Sequence, residues 1–161
     1  MINPSTTDVD IDIVLDANQI DAVAAHAFLT TSYWSPGIPF DVVQRAIANS
    51  LCVAARSDGR QIGFARLVTD RATFAYLADV HVLPEYRGRG IAHGMLNALF
   101  GHADVQGLRR LMLVTRDAHS LYRKFGFTAS TVPERIMERV TPNAYGALFT
   151  SGSADTMRNI S

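Results

Sequence analysis

A single cysteine, Cys52, excludes an internal disulfide, and its place in the apolar run Leu51-Cys52-Val53-Ala54 makes it a core residue rather than a nucleophile. Neither sign of charge is in excess. With 15 basic residues against 15 acidic, the chain presents no broad field to nucleic acid or to an anionic membrane, so neither is expected as a partner. The five histidines and the lone cysteine show no ligand spacing, and no metal is expected; His26 and His102 read as surface or helix-face residues. No apolar run approaches the roughly 18 residues of a membrane-crossing helix. The opening MINPSTTDVD lacks the basic start and apolar stretch of an export signal, so a cytoplasmic location is the expectation. Two phosphate-binding signatures are missing as well. No loop ends in Gly-Lys-Ser/Thr, as a P-loop must, and His93 stands three residues after Gly90, where a dinucleotide fingerprint needs glycine.

What is present is one domain's length, 161 residues, with 48% hydrophobic residues to build a core and no internal repeat. Its most informative stretch is Asp79 to Ala92, DVHVLPEYRGRGIA. Val80 and Val82 suit a strand, Pro84 ends its ladder, and Arg87-Gly88-Arg89-Gly90 is a tight turn. From Ala92 the apolar residues Met95, Leu96, Leu99, Phe100 and Ala103 keep helical spacing, so a helix starts at once and aims its N-terminus at the turn. Free N–H groups and the positive end of the dipole then meet two glycines and two arginines, a site for phosphate or pyrophosphate. On residues alone, the competing reading is a strand-turn-helix whose arginines are merely solvated.

Around this stretch the chain divides as follows. Residues 1–8 are a polar terminus, 9–140 a folded domain, and 141–161 a Ser-, Thr-, Gly- and Asn-rich tail with an apolar island, Ala144 to Phe149, that could dock on the body. Val9, Ile11, Ile13 and Leu15 alternate as in a strand, and Asp16 or Asn18 can cap a helix through Ile20, Val23, Ala24, Ala27 and Phe28. Ser35-Pro36-Gly37 breaks the chain before a second helix opened by Pro39, leaving Tyr33 and Trp34 at the corner. Leu51 to Arg56, the turn Ser57-Asp58-Gly59-Arg60, Gln61 to Val68 and Thr73 to Leu83 predict an antiparallel meander. Leu111 to Val114 predicts a parallel strand after the crossover helix, Asp117 can cap a short helix ending at Gly126, and Phe127 to Ser130 with Ile136 to Val140 predict a last strand pair.

Arg87-x-x-Gly90-x-Ala92, preceded by Val-x-Val-x-Pro-Glu-Tyr, resembles the acyl-CoA pyrophosphate loop of the GNAT N-acetyltransferase superfamily. The element order agrees over nearly all of 9–140, which implies an α/β fold of the α+β type: a central mixed, mostly antiparallel sheet with helices on both faces. A second motif, Ala118-His119-Ser120-Leu121-Tyr122-Arg123-Lys124-Phe125-Gly126-Phe127, is similar to the family's short helix whose tyrosine approaches the coenzyme sulfur. Tyr122 stands at that position. Its reference pKa of about 10, against roughly 8.5 for a thiol, suits protonation of a departing thiolate. The chain departs from the pattern at Thr115, where the family often has asparagine to bond the coenzyme.

The resemblance implies transfer of an acetyl group from acetyl-CoA to an amine of a small molecule or peptide, by direct attack in a ternary complex. It assigns the coenzyme to Val80, His81, Val82, Arg87, Gly88, Arg89, Gly90, Ile91, Ala92, Thr115, His119 and Tyr122. Some relatives carry a basic glutamate directly before the position of Asp79, where this chain has Ala78. The candidates for base or amine anchor are therefore Asp79, then His81, then water; Asp79 could equally be a structural carboxylate capping backbone. Strict alternation sets Asp79 and His81 on the face opposite Ala78, unless a bulge breaks the parity. Tyr33, Trp34, Phe40 and Tyr76 are expected to wall the acceptor site, each with a core role as its alternative, and Glu85 to be solvated. The missing glutamate and Thr115 motivate a second reading, a degenerate acyl-CoA-binding sensor. The last strand and tail of such folds commonly meet a second subunit, so a homodimer is an expectation.

Overall fold

The computed structural model describes residues 10–146. Its sheet runs β1 (Asp12–Val14), β2 (Leu51–Ser57), β3 (Arg60–Thr69), β4 (Phe74–Val82) and β5 (Arg110–Met112), in that spatial order. All neighbours are antiparallel except β4 and β5. The β2–β3 hairpin turns on Asp58 and Gly59 with φ of 48° and 75°, the positive pair that a two-residue turn matched to strand twist requires. Helices α1 (Ala22–Leu29) and α2 (Phe40–Ala48) precede β2, α3 (Ile91–Phe100) crosses from β4 to β5, and α4 (His119–Arg123) follows β5.

Alternation along β2 divides the core. Leu51, Val53 and Ala55 join Leu67, Ala75 and Leu77 beneath Ile91, Met95, Leu96 and Leu99 of α3. Cys52 and Phe64 instead pack under Ala25, Leu29 and Val43 of α1 and α2. Burial pushes the Cys52 thiol up to about 12, so it remains protonated. At Gly63 a Cβ would lie 3.1 Å from the Met95 side chain and 3.2 Å from the His81 carbonyl, so α3 sits this close to β3 only over glycine.

Four expectations need correction. Asp16 caps a 3-10 turn over Ala17–Gln19, while α1 is capped by Asp21, whose carboxylate accepts the Ala24 amide at 3.0 Å. Asp117 does not cap α4: the Thr115 hydroxyl, two residues earlier, accepts the Ala118 amide at 3.0 Å. β5 leaves its ladder after Met112, so Leu113 and Val114 are not strand residues. The segments 127–130 and 136–140 form no strands, because β5 offers only three residues of ladder, Ile136 and Val140 lie exposed, and Met137 is 94% exposed. Of the apolar island in the tail, residues 144–146 are described, and Tyr145 lies exposed; residues 147–161 and 1–9 lie outside the described chain.

Candidate active site

The site begins with a break in β4. Gly63 pairs with Val82 and Phe64 with His81, but Arg66 pairs with Ala78, so Asp79 and Val80 together oppose Ala65. Asp79 takes up the extra residue with φ of 60°. Parity flips across it. Ala75 and Leu77 before the bulge share the α3 core with Val80 and Val82 after it, which returns His81 to the face opposite that core. Beyond Tyr76 the parallel partner also ends, at Met112, and the two strands part. Between them opens a cleft of about 550 Å³, walled by Leu77 to Val80, Leu113 to Ala118, Tyr33, Trp34, Arg66, Tyr76, Tyr122 and Tyr145.

At the far end of β4 the chain turns through Pro84–Tyr86 into α3. The Arg87 amide bonds the Pro84 carbonyl at 3.3 Å and the Arg87 Nε the Val82 carbonyl at 2.9 Å, so Arg87 ties the turn to its strand. From Gly88 onward the amides are open. The first bond of α3 is from Gly94 to the Gly90 carbonyl at 3.0 Å, and among the described residues no acceptor serves the N–H groups of Gly88 through His93. Gly88 and Gly90 have φ of 74° and 76°, and a Cβ at either would meet nothing within 4 Å. The cradle is left-handed, uncapped and open, with no acidic residue in the first turn of α3. Arg89 reaches back over the Tyr86 ring, and Glu85 is solvated apart from an exposed contact with Arg60 at 3.5 Å. The geometry fits a diphosphate.

Tyr122 is buried to 8% exposure and carries its hydroxyl at the wall of the cleft. Burial, with Tyr33 and Asp117 nearby, pushes that hydroxyl above its ordinary value, so it stays a proton donor. Tyr122 and Thr115 line the cleft and also a second depression of about 540 Å³ on the outer side of residues 113–115, where His119 lies.

Asp79 is fully engaged. One carboxylate oxygen accepts Trp34 Nε1 at 3.1 Å and the other accepts Arg66 Nε at 2.5 Å, while Arg66 also donates to the Ser50 hydroxyl at 3.2 Å. The pair is largely buried, so it fixes the Trp34 loop against the bulge instead of offering a free carboxylate. His81 lies outside the cleft wall, stacked on Phe28 at 3.9 Å and 1°, with Nδ1 donating to the Asp79 carbonyl at 2.9 Å. Burial holds its imidazole down at about 4. The unfolded chain takes up this proton from about pH 6.5 downward and the folded chain only near 4, so stability is lost as pH falls through that window. The stability lost by pH 4.5 should be about 2–3 kcal/mol. His81→Phe, which keeps the stack, is expected to remove that share of the loss in urea melts at pH 7 and 4.5; parallel losses in both proteins would deny it.

Of the predicted acceptor walls, Tyr33, Trp34 and Tyr76 line the cleft, whereas Phe40 packs edge-on against His26 at 5.5 Å. Sequence reasoning missed Arg66, Arg116 and Tyr145. Arg66 carried a signal: an arginine within the strand run Phe64-Ala65-Arg66-Leu67 demands a buried partner. Arg116, whose guanidinium lies 4.0 Å over the Tyr33 ring, carried none.

The sequence pattern of the acetyltransferase (GNAT) family matches residues 20–127, well over half of the chain. The chain belongs to that family. A Gibberella zeae protein named as an acetyltransferase is 32% identical over 127 residues, 66% of this chain and 71% of its own. A GNAT-family acetyltransferase structure from Xanthomonas campestris is 46% identical, with a TM-score of 0.81 over 84% of this chain and 96% of that one. An acetyltransferase from Clostridium acetobutylicum, solved with acetyl-CoA, is 20% identical and shares the fold at a TM-score of 0.60 over 82% and 96% of the two chains. This GNAT chain has, among its described residues, no helix long and apolar enough to cross a membrane and no group of side chains arranged for a metal ion.

Proposed function

We propose that this acetyltransferase moves an acetyl group from acetyl-CoA to the amine of a small molecule or peptide. The observation that carries the reading is the run of open amides from Gly88 to His93, joined through β4 to a strand edge unpaired beyond Tyr76. Those amides and the α3 dipole receive the coenzyme's diphosphate. The edge from Leu77 to Val82 pairs with the pantetheine amides, and one of its N–H groups polarises the thioester carbonyl. When bound, the coenzyme supplies an activated acyl group on sulfur. Tyr122 holds the proton that the sulfur needs on departure, and Thr115 locks the turn that aims α4 at the cleft.

With Asp79 engaged and His81 behind the sheet, the amine gives up its proton to water in the cleft. For an alkylammonium of pKa about 10 this costs about 4 kcal/mol at pH 7. The expected result is a kcat/KM that rises about tenfold per pH unit below the amine's pKa. Asp79→Asn should lower the rate by loosening Trp34 yet keep that slope; a plateau near neutrality that this substitution abolishes would make Asp79 the base. The activity itself is tested by thiol-trapped CoA release from acetyl-CoA over an amine panel. Coenzyme binding without release across the panel would identify an acyl-CoA sensor instead.

A further inference from the structure

Three aromatic rings stay in water where they border the cleft. Tyr33 is 56% exposed, Trp34 41% and Tyr145 38%, although burying such a side chain fully is worth about 1.5–3 kcal/mol. They come from the α1–α2 connection and from the C-terminal segment, and they line the same cleft as Tyr76. Tyr33 and Trp34 meet at 5.0 Å and 84°, and the Arg116 guanidinium covers one face of Tyr33 at 4.0 Å, so a third ring would meet the ring surface of this corner that is left exposed.

The charges of the wall cancel. They are two arginines and two aspartates: Arg66 with Asp79 at 2.5 Å, and Arg116 with Asp117 at 3.5 Å. Inside the cleft a carboxylate or phosphate would have to displace Asp79 from Arg66, and a second ammonium Arg66 from Asp79, while Arg116 and Asp117, 66% and 69% exposed, are solvated charges that add little to binding. No charge in the interior is left free. Recognition is left to area and shape.

We infer that the acceptor is a monoamine on a flat aromatic body with no second charge, held in the corner of Tyr33 and Trp34 and covered by Tyr145. The inference rests on the cleft being the acceptor site of the transferase proposed above. Trp34, the chain's one tryptophan, reports occupancy without turnover. Its emission in the full-length protein is to be titrated with 2-phenylethylamine, with phenylalanine as the carboxylated counterpart and n-hexylamine as the aliphatic one. We expect 2-phenylethylamine to bind at least tenfold more tightly than either, and kcat/KM from CoA release to follow the same order. Tyr145→Ala, on a surface segment, and Tyr33→Leu should each weaken that binding at least fivefold, with the thermal shift by acetyl-CoA as the control for an intact fold. A preference for phenylalanine or hexylamine overturns the inference and leaves the transferase reading intact. Tight quenching by 2-phenylethylamine without CoA release from any amine overturns the transferase reading and leaves the aromatic site standing.

Discussion

Gly90→Asp is expected to abolish the thermal stabilisation of this acetyltransferase by acetyl-CoA while leaving the free protein close to its original melting temperature. The two halves of this result have separate causes. Gly90 sits at φ of 76°, a conformation that aspartate and asparagine tolerate better than other side chains, and its Cβ would enter open space. Backbone strain of about 1 kcal/mol is offset by a carboxylate placed at the uncapped N-terminus of α3, where a negative charge is favourable. The fold therefore survives. The same carboxylate occupies the amides that the diphosphate needs and repels its charge. In the original protein, coenzyme at a hundredfold excess over Kd adds about 2.7 kcal/mol of stability. For a chain of this size that is a rise of about 5–10 °C. In the variant the rise should vanish, and CoA release with it. An undiminished shift in Gly90→Asp would place the coenzyme elsewhere and remove the basis of the proposed chemistry.

That the cradle was legible from residues alone follows from its local nature. A strand ending at Pro84, two glycines in a four-residue turn and an immediate amphipathic repeat leave the chain one conformation, and residues 79–92 adopt it. The β2–β3 hairpin was equally readable, because Asp58-Gly59 specifies its own turn. Tyr122 was singled out by motif, and its place at the cleft follows from the α4 register that Phe125 and Gly126 set by closing the helix.

What stayed hidden depends on pairings between distant segments. A bulge could be named from the sequence as what would break the parity, but its place is a register shift between β3 and β4, visible only when Arg66 is seen opposite Ala78. With it came the exchange of faces at His81 and the capture of Asp79 by Trp34 and Arg66, neither of which alternation along one strand can show. The capping of α4 was misread because Asp117 is the stronger capping residue by propensity. Tertiary placement nevertheless sets the Thr115 hydroxyl on the Ala118 amide. Segments 127–130 and 136–140 have strand-like composition but no ladder to join once β5 stops at Met112.

Tyr122→Phe is expected to lower kcat at least tenfold while changing acetyl-CoA affinity less than twofold. The ring contributes packing among Phe127, Thr115 and the cleft wall, and phenylalanine preserves that packing. Only the hydroxyl is lost. What disappears is a proton donor held above its ordinary pKa by burial. Because that shift is upward, the donor stays loaded through the neutral range and is lost only above about pH 10, the ordinary value for tyrosine. The original protein should thus show no falling limb in its rate below that pH, and the variant should show the same profile at a lower level. Removing a general acid typically costs 10²–10⁴-fold, and the cost shrinks as the leaving group needs a proton less. A thiolate of pKa about 8.5 leaves partly unaided, so the deficit belongs at the lower end of that range. The deficit should also narrow for acyl donors whose thiol is more acidic than coenzyme A. A constant deficit across donors would mean that the hydroxyl positions the substrates instead of protonating the sulfur, and an unchanged kcat would strip Tyr122 of any part in the chemistry.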